Sequence, residues 1–159
     1  MSLTPAQQTT LLAVITANGT LNAQPLNADG DYAIAALLNG PPPSAFWVFN
    51  PAVSIEALIE AFDATEFMTL TTAQIGLLTI IMGASAFSMD ASVAQRRNQF
   101  INIFASCPTT KTNLGNLARR AATWIEQILS TGTGTTDSPA TMSYVGQISL
   151  NDIAAVRGG

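Results

Sequence analysis

The sequence feature that most constrains the fold is a helical rhythm from Asn113 to Leu129. Polar side chains, including the pair Arg119 and Arg120, occupy one side of this run. Apolar side chains recur on the other side at steps of three and four, at Leu114, Leu117, Ala118, Ala121, Trp124, Ile125 and Ile128. This spacing is typical of an amphipathic helix. It predicts one long helix that packs against a hydrophobic core.

The charge content points to self-association. Charged residues make up 10% of the 159 positions, against about 25% in a typical globular chain. A surface with so few charges offers weak electrostatic protection against association. We therefore expect an obligate assembly built from a single domain with tails.

The few charges are unevenly distributed. Residues 1–95 contain seven acids and no Lys or Arg, whereas residues 96–159 contain six basic residues and three acids. The net charge is thus −7 in the first part and +3 in the second. The two parts can attract each other within a monomer, or the same polarity can set which surfaces meet in a ring or stack.

The residue types argue against catalysis. The chain has no His and a single Cys, which excludes the commonest metal sites and the Ser-His and Cys-His pairs. Glu56, Glu60 and Asp63 form an acidic strip that we interpret as a solvated helix face. The Gly-Thr tract at 132–136 lacks the ending of a phosphate-binding loop, so it favours a connector. We predict no enzyme activity, cofactor or metal.

The order of helix and turn signals predicts a mainly α chain. Thr4 followed by Pro5 is typical of a helix start, as is Ser54. Residues 141–149 alternate with a period of two, which indicates a strand or hairpin. We expect a helical bundle of about six helices with a small C-terminal β element and extended arms. The predicted division is a helical domain, 1–130, and a docking arm, 131–159.

An aromatic run follows three consecutive prolines. Phe46, Trp47 and Phe49 lie in an extended segment that Pro51 closes, because proline disfavours helix at these positions. Such a segment either crosses the core as an aromatic plug or projects into a neighbouring subunit. Burial within the chain is the commoner arrangement for large aromatic side chains.

The paired arginines raise the question of nucleic acid. Six basic residues in an acidic chain make a poor footprint for autonomous DNA binding. A ring would repeat them into a belt, so passive contact with DNA in a channel stays open. Arg97 lies on an apolar stripe; we expect its stem along that surface and its charged head at water or an acid.

The most apolar window, residues 73–87, is too short for a membrane span. It covers about 15 residues, whereas a bilayer-spanning helix needs about 20. We therefore predict a core helix and no membrane partner.

Several short pieces together resemble a family of small structural proteins of tailed bacteriophage virions. Near the N-terminus they are Leu3-Thr4-Pro5-Ala6-Gln7, Asn27-Ala28-Asp29-Gly30, and Phe46-Trp47-Val48 with the Pro-Ala-Val-Ser that follows. Near the C-terminus they are Ala118-Arg119-Arg120-Ala121, Glu126, Ser130-Thr131-Gly132-Thr133-Gly134, Ser138-Pro139-Ala140-Thr141 and Gly146.

This resemblance implies a head-to-tail adaptor in the virion neck, present in the host cytoplasm during assembly. Such adaptors are helical subunits in homo-oligomeric rings, commonly twelvefold, that bind the portal protein and the tail, nozzle or tube proteins. Another tail or virion ring component is an alternative. A second alternative is a monomeric phage accessory protein that binds an acidic partner through Arg96, Arg97, Arg119 and Arg120.

The resemblance also implies roles for particular residues. Those expected at a subunit or portal interface are Phe46, Trp47, Phe49, Thr133, Tyr144 and Ile148. Those expected at a channel or acidic partner are Arg96, Arg119 and Arg120. The segment 131–150 would dock on the portal or on a neighbouring subunit, and its strand could extend a neighbour's sheet.

Overall fold

A computed structural model describes residues 3–84 and 88–158. The fold is mainly α, with 55% helix and a few short antiparallel strands, so the predicted fold class is confirmed. The helices are α1 (Pro5–Ala17), α2 (Gly19–Asn22), α3 (Ala28–Asn39), α4 (Ile55–Glu60), α5 (Ala64–Phe67), α6 (Thr72–Ala84), α7 (Ala94–Ile103), α8 (Pro108–Leu117), α9 (Trp124–Ile128) and α10 (Leu150–Arg157). The strands are β1 (Trp47–Phe49), β2 (Val53–Ser54), β3 (Ser88–Met89), β4 (Arg119–Ala121), β5 (Ser130–Thr131) and β6 (Thr141–Met142).

Side-chain caps set the ends of the helices. The Thr4 hydroxyl accepts the backbone N–H of Gln7, and Pro5 is the first helical residue, so both predicted features of this start are present. The Gln7 side chain also accepts the N–H of Thr4. The Ser54 hydroxyl caps α4 by accepting the N–H of Ala57. Caps also start single turns such as α2 and α5, which carry no periodic signal. The structure therefore has more helices than the six expected.

The predicted helix over 113–129 is wrong. Its first part is the end of α8, its middle is the strand β4, and its last part is α9. The apolar side chains of this run are packed as expected, but they pack in two different cores. Leu114 and Leu117 pack in one hydrophobic cluster, whereas Trp124 and Ile125 pack in another.

The break in this helix has a local cause at Thr123. The Thr123 hydroxyl accepts the N–H of Glu126, and the Glu126 carboxylate accepts the N–H of Thr123. This reciprocal cap starts a helix and leaves Thr123 itself extended. Just before it, the N–H of Ala122 donates to the carbonyl of Phe46 rather than to a helical partner.

The chain forms two compact units. Unit 1 contains the described residues up to Val48 and from Ala121 onward, and unit 2 is the continuous segment Phe49–Arg120. The chain thus passes between units within β1 and within β4, which make up a two-stranded sheet. The residues beyond 130 belong with the N-terminal helices, so this division differs from the predicted boundary at residue 130.

Unit 1 is closed by its C-terminal helix. The helix α10 packs mainly on α3 and also on α1. Its Arg157 pairs with the Asp31 carboxylate at 2.7 Å, with both side chains largely buried. The fully buried side chains of this core include Leu11, Leu21, Ile34, Leu38, Ile125 and Ile153. Strands β5 and β6 pair antiparallel, with Ser130 opposite Met142.

Unit 2 has an aromatic core. Phe104 is fully buried, and its ring centre lies 4.9 Å from that of Phe62 and 6.4 Å from that of Phe100. Strands β2 and β3 pair antiparallel beside this core, with Val53 opposite Met89. The helix α6 packs on α7 through Leu78 and Ile81.

Candidate interaction surfaces

The aromatic strand β1 lies within unit 1 at its N-terminal end and is held there by backbone hydrogen bonds. The N–H of Trp47 donates to the carbonyl of Gly134 at 2.8 Å, and the N–H of Ala140 donates to the carbonyl of Trp47 at 2.9 Å. Val48 between the aromatics is fully buried. The side chains of Phe46 and Trp47 are half-buried. The loop that contains the Gly-Thr tract therefore covers this strand.

Gly134 makes this cover possible. It has a φ of +66°, and a Cβ built there would lie 2.1 Å from the Phe46 ring. Only glycine combines that conformation with that close approach. Thr133 beside it is exposed, and its hydroxyl donates to the carbonyl of Ser138 at 3.0 Å. Thr133 thus belongs to this loop, and Phe46 packs against it at Gly134. Both residues were expected at an interface.

Tyr144 and Ile148 lie in the core of unit 1, not on its surface. Each is 3% exposed. The Asn39 side chain bonds both backbone groups of Ile148, at 2.8 and 2.9 Å. The Tyr144 hydroxyl donates to the carbonyl of Gln147 at 2.7 Å, and burial, together with nearby carboxylates, raises the pKa of Tyr144. The expected docking role of these two side chains has no exposed surface to act through.

Phe49 lies in unit 2 under the guanidinium of Arg97. The guanidinium carbon is 3.7 Å from the centre of the ring, a distance at which a cation is attracted to the aromatic face. Nη1 of Arg97 donates to the carbonyls of Ala91 and Ser92 at 2.6 and 2.8 Å. The expected position at water or at an acid is thus corrected to an aromatic face and two carbonyls.

Burial lowers the pKa of the Arg97 guanidinium, and the carboxylate of Asp90 opposes this effect. Because carbonyl oxygens accept its hydrogen bonds, Arg97 keeps its positive charge while no carboxylate within residues 3–84 and 88–158 is hydrogen-bonded to it. The alternative of an accessory protein included Arg97 among the contacts to an acidic partner, and its place on an apolar stripe marked it as unusual.

The three arginines expected at a channel or acidic partner lie in two elements of unit 2. Arg96 is half-buried in α7. Arg119 and Arg120 are half-buried in β4, where Nη2 of Arg119 donates to the Asn116 side chain at 2.6 Å. The strand, rather than a helix face, therefore determines where these two side chains lie.

An apolar pocket of about 170 Å³ opens in unit 2. Residues of β2, α4, β3, α7 and α8 line it, among them Phe100, Ile101 and Leu114. Arg97 and Lys111 are the charged side chains on its lining, and both are positive. The sequence did not indicate this pocket, because its walls come from segments up to 65 residues apart.

Three apolar side chains of α6 are exposed. Ile75, Leu77 and Ile80 on this helix are 39%, 42% and 69% exposed. Leu77 and Ile80 are three residues apart and share one side of the helix, whereas Ile75 lies on a different side. The sequence carries no charge between Glu66 and Asp90. The edge formed by Leu77 and Ile80 resembles the apolar surfaces that mark interaction sites rather than the charged surface of an isolated helix.

The acidic residues of unit 2 serve backbone groups or solvent. The Glu66 carboxylate accepts the N–H groups of Thr109 and Thr110, both at 2.8 Å. Burial raises the pKa of Glu66, but these hydrogen bonds outweigh it and lower the pKa to about 2. Within residues 3–84 and 88–158, no cluster of His, Cys, Asp and Glu could hold a metal.

No helix of the described chain is long and apolar enough to cross a membrane. The predicted core helix corresponds to α6, although residues 85–87 of the apolar window lie outside the described ranges. Comparison with family models, with curated proteins and with solved structures finds no match to this chain.

Proposed function

We propose that this chain is a non-enzymatic structural protein of a tailed-phage virion, most specifically a head-to-tail adaptor subunit. In this proposal it forms a homo-oligomeric ring in the neck between the portal and the tail proteins. The resemblance in short sequence pieces supports the class of protein. The observation that carries the interaction role is the exposed apolar edge of α6 at Leu77 and Ile80, on a helix that carries no charged residue.

Leaving apolar side chains of a helix exposed to water has a free-energy cost. Full burial of an exposed Ile or Leu side chain yields about 1.5–3 kcal/mol, and a partly exposed side chain forgoes a corresponding part of it. A stable chain that leaves Leu77 and Ile80 exposed on one side of a helix without charged residues is suited to burying that side against another protein. The low overall charge supports the same conclusion.

The arginines fit a secondary role in this proposal. In a ring, Arg96, Arg119 and Arg120 repeat once per subunit and would offer a belt of positive charge to passing DNA or to acids of a neighbour. Their half-buried positions suit contacts that form on assembly better than autonomous DNA binding.

The test is the mass of the purified chain in solution, by light scattering after size exclusion, alone and mixed with the portal protein of the same phage. A ring, or a monomer that assembles on the portal, supports the proposal. A monomer that ignores the portal overturns the adaptor role and favours the alternatives, namely another tail or ring component or a monomeric accessory protein.

The face of α6 provides a matched pair of variants for the same measurement. Ile80→Asp places a charge on the most exposed apolar position of the helix and should abolish or reduce assembly. Thr79→Asp places the same charge on the neighbouring polar position and serves as its control. Equal assembly of Ile80→Asp and the unmodified chain would exclude α6 as the interface.

A further inference from the structure

Unit 1 presents an apolar side chain on a fixed backbone. Leu26 is 84% exposed, yet the chain around it is tied down. Arg157 donates from Nη1 to the carbonyl of Pro25 at 3.0 Å and from Nη2 to the carbonyl of Gln24 at 2.8 Å. The side chain of Asn27 caps α3 on the other side. An apolar group that is ordered without being buried loses conformational freedom with no gain from burial.

Close packing behind this segment reinforces it. Gly30 lies against Pro25 so tightly that a Cβ would come 2.0 Å from the Pro25 carbonyl oxygen. The backbone from 24 to 30 is thus a rigid corner. Three residues beyond Leu26, in the first turn of α3, Asp29 is exposed, and within the described chain its carboxylate accepts no hydrogen bond.

The pocket of unit 2 is complementary to this corner in size and in charge. Its volume of about 170 Å³ matches cavities of about 150 Å³ that hold one benzene-sized group, which is about the size of a leucine side chain. Its walls are apolar, and the charges on its lining, from Arg97 and Lys111, are positive. Arg97 is held in place by Phe49 and two carbonyls.

Unit 1 is acidic, whereas the charges of unit 2 balance. Unit 1 contains five acids against one base, a net of −4, whereas unit 2 contains five acids and five bases. The single base of unit 1 is Arg157, which already pairs with Asp31. The acidic corner of unit 1 therefore suits a surface where positive charge borders an apolar pocket.

We propose that Leu26 of one copy inserts into the apolar pocket of unit 2 of a second copy, with Asp29 facing Arg97 and Lys111. Met68 is equally exposed, but the nearest acids in its own unit, Asp63 and Glu66, already accept backbone N–H groups. A contact between two different surfaces is heterologous, and repetition of such a contact generates rings or filaments. The inference thus rests on the proposed ring and names the surfaces that would join its subunits.

The test mixes two full-length variants, each of which keeps one half of the contact. Leu26→Asp removes the inserted side chain and leaves the pocket intact. Gly115→Leu fills the pocket at a lining position where a Cβ meets nothing within 4 Å, and it leaves Leu26 intact. Neither change removes a buried side chain, and the second also favours helix.

The Leu26→Asp variant, which keeps the intact pocket, is isotope-labelled and titrated to millimolar concentration with the unlabelled Gly115→Leu variant, which keeps Leu26. Amide resonances of Ile101 and Leu114 should shift. Using the double variant, Leu26→Asp with Gly115→Leu, in place of Gly115→Leu should weaken binding at least about tenfold. Adding Asp29→Asn to the Gly115→Leu variant should weaken binding by a few-fold and reduce the dependence of binding on salt. Gly115→Ala is the control for Gly115→Leu, and Leu12→Asp, at another exposed leucine of unit 1, is the control for Leu26→Asp.

An absence of shifts at millimolar protein, or equal shifts with the double variant, overturns the inference. This outcome is separable from failure of the proposed function, because the titration needs neither portal nor ring. If the unmodified chain and both variants form the same ring, the adaptor proposal stands and this contact falls. If the two variants bind each other but the unmodified chain neither forms a ring nor assembles on the portal, this contact stands and the adaptor proposal falls.

Discussion

The two units form their small hydrophobic cores in different ways. Unit 1 brings together segments from both ends of the chain and locks them with a largely buried ion pair between Arg157 and Asp31. Unit 2 is one continuous segment that packs around the Phe62, Phe100 and Phe104 rings and keeps a pocket and an exposed α6 face. The comparison teaches that apolar content alone does not predict burial, since the most apolar helix is among the least covered.

The largest expected effect comes from emptying the core of unit 2. Phe104→Ala removes a fully buried ring and should lower the free energy of unfolding by about 3–5 kcal/mol. Hydrogen exchange should accelerate over residues 49–120 and stay unchanged in unit 1. Phe67→Ala, at a half-buried ring of the same cluster, is the control with a smaller loss. Equal acceleration in both units would show that they unfold as one.

Unit 1 should respond most to loss of its ion pair. Arg157→Gln leaves Asp31 without its cation in a site where the two side chains are 8% and 11% exposed, and it should cost about 2–4 kcal/mol. Both tryptophans lie in unit 1, so denaturant unfolding followed by tryptophan fluorescence reports this loss. Arg96→Gln in unit 2 should leave that transition in place, and an unshifted Arg157→Gln would contradict the role of the pair.

A smaller effect is expected at the loop over the aromatic strand. Gly134→Ala imposes a side chain at φ +66° against the Phe46 ring, and it should cost about 1–3 kcal/mol in the same fluorescence transition. Gly19→Ala, in the same unit and with open space around the Cβ, is the control. If both variants behave alike, the loop does not pack on Phe46 in solution.

The smallest effect is a pH dependence in unit 2. The pKa of Glu66 is about 2 in the folded chain against an ordinary 4.5, so as pH falls the unfolded state takes up the proton first. Stability from this carboxylate is present above pH 4.5 and is lost as the pH falls towards 2. Hydrogen exchange at α8 should therefore rise through this range, and less so in Glu66→Gln. Glu56→Gln, at an exposed acid, should keep the behaviour of the unmodified chain.

The sequence predicted what local chemistry controls. The starts of α1 and α4 depend on the side chains of Thr4 and Ser54 within one turn. The break at Thr123 was also readable, because Thr123 and Glu126 have the spacing of a reciprocal cap. The apolar spacing continues across Thr123 and therefore indicated a single helix. Its two halves pack in different cores.

Contacts between distant residues could not be predicted in this way. The approach of Phe46 to Gly134, the pocket between α7 and α8, and the burial of Tyr144 depend on how separate elements pack. Glycine at 134 and arginine at 97 were each noticeable as residue types. Their partners follow only from the tertiary structure.

The two-part construction of unit 1 also affects how the protein is synthesised. A ribosome completes residues 49–120 before it makes residues 121–158, so unit 2 can fold while unit 1 still lacks α9 and α10. Throughout that interval, α1 and α3 lack the part of their core that later residues such as Ile125 and Ile153 supply. The nascent chain therefore carries partly uncovered helices that a chaperone can bind, until residues 121–158 emerge and cover them.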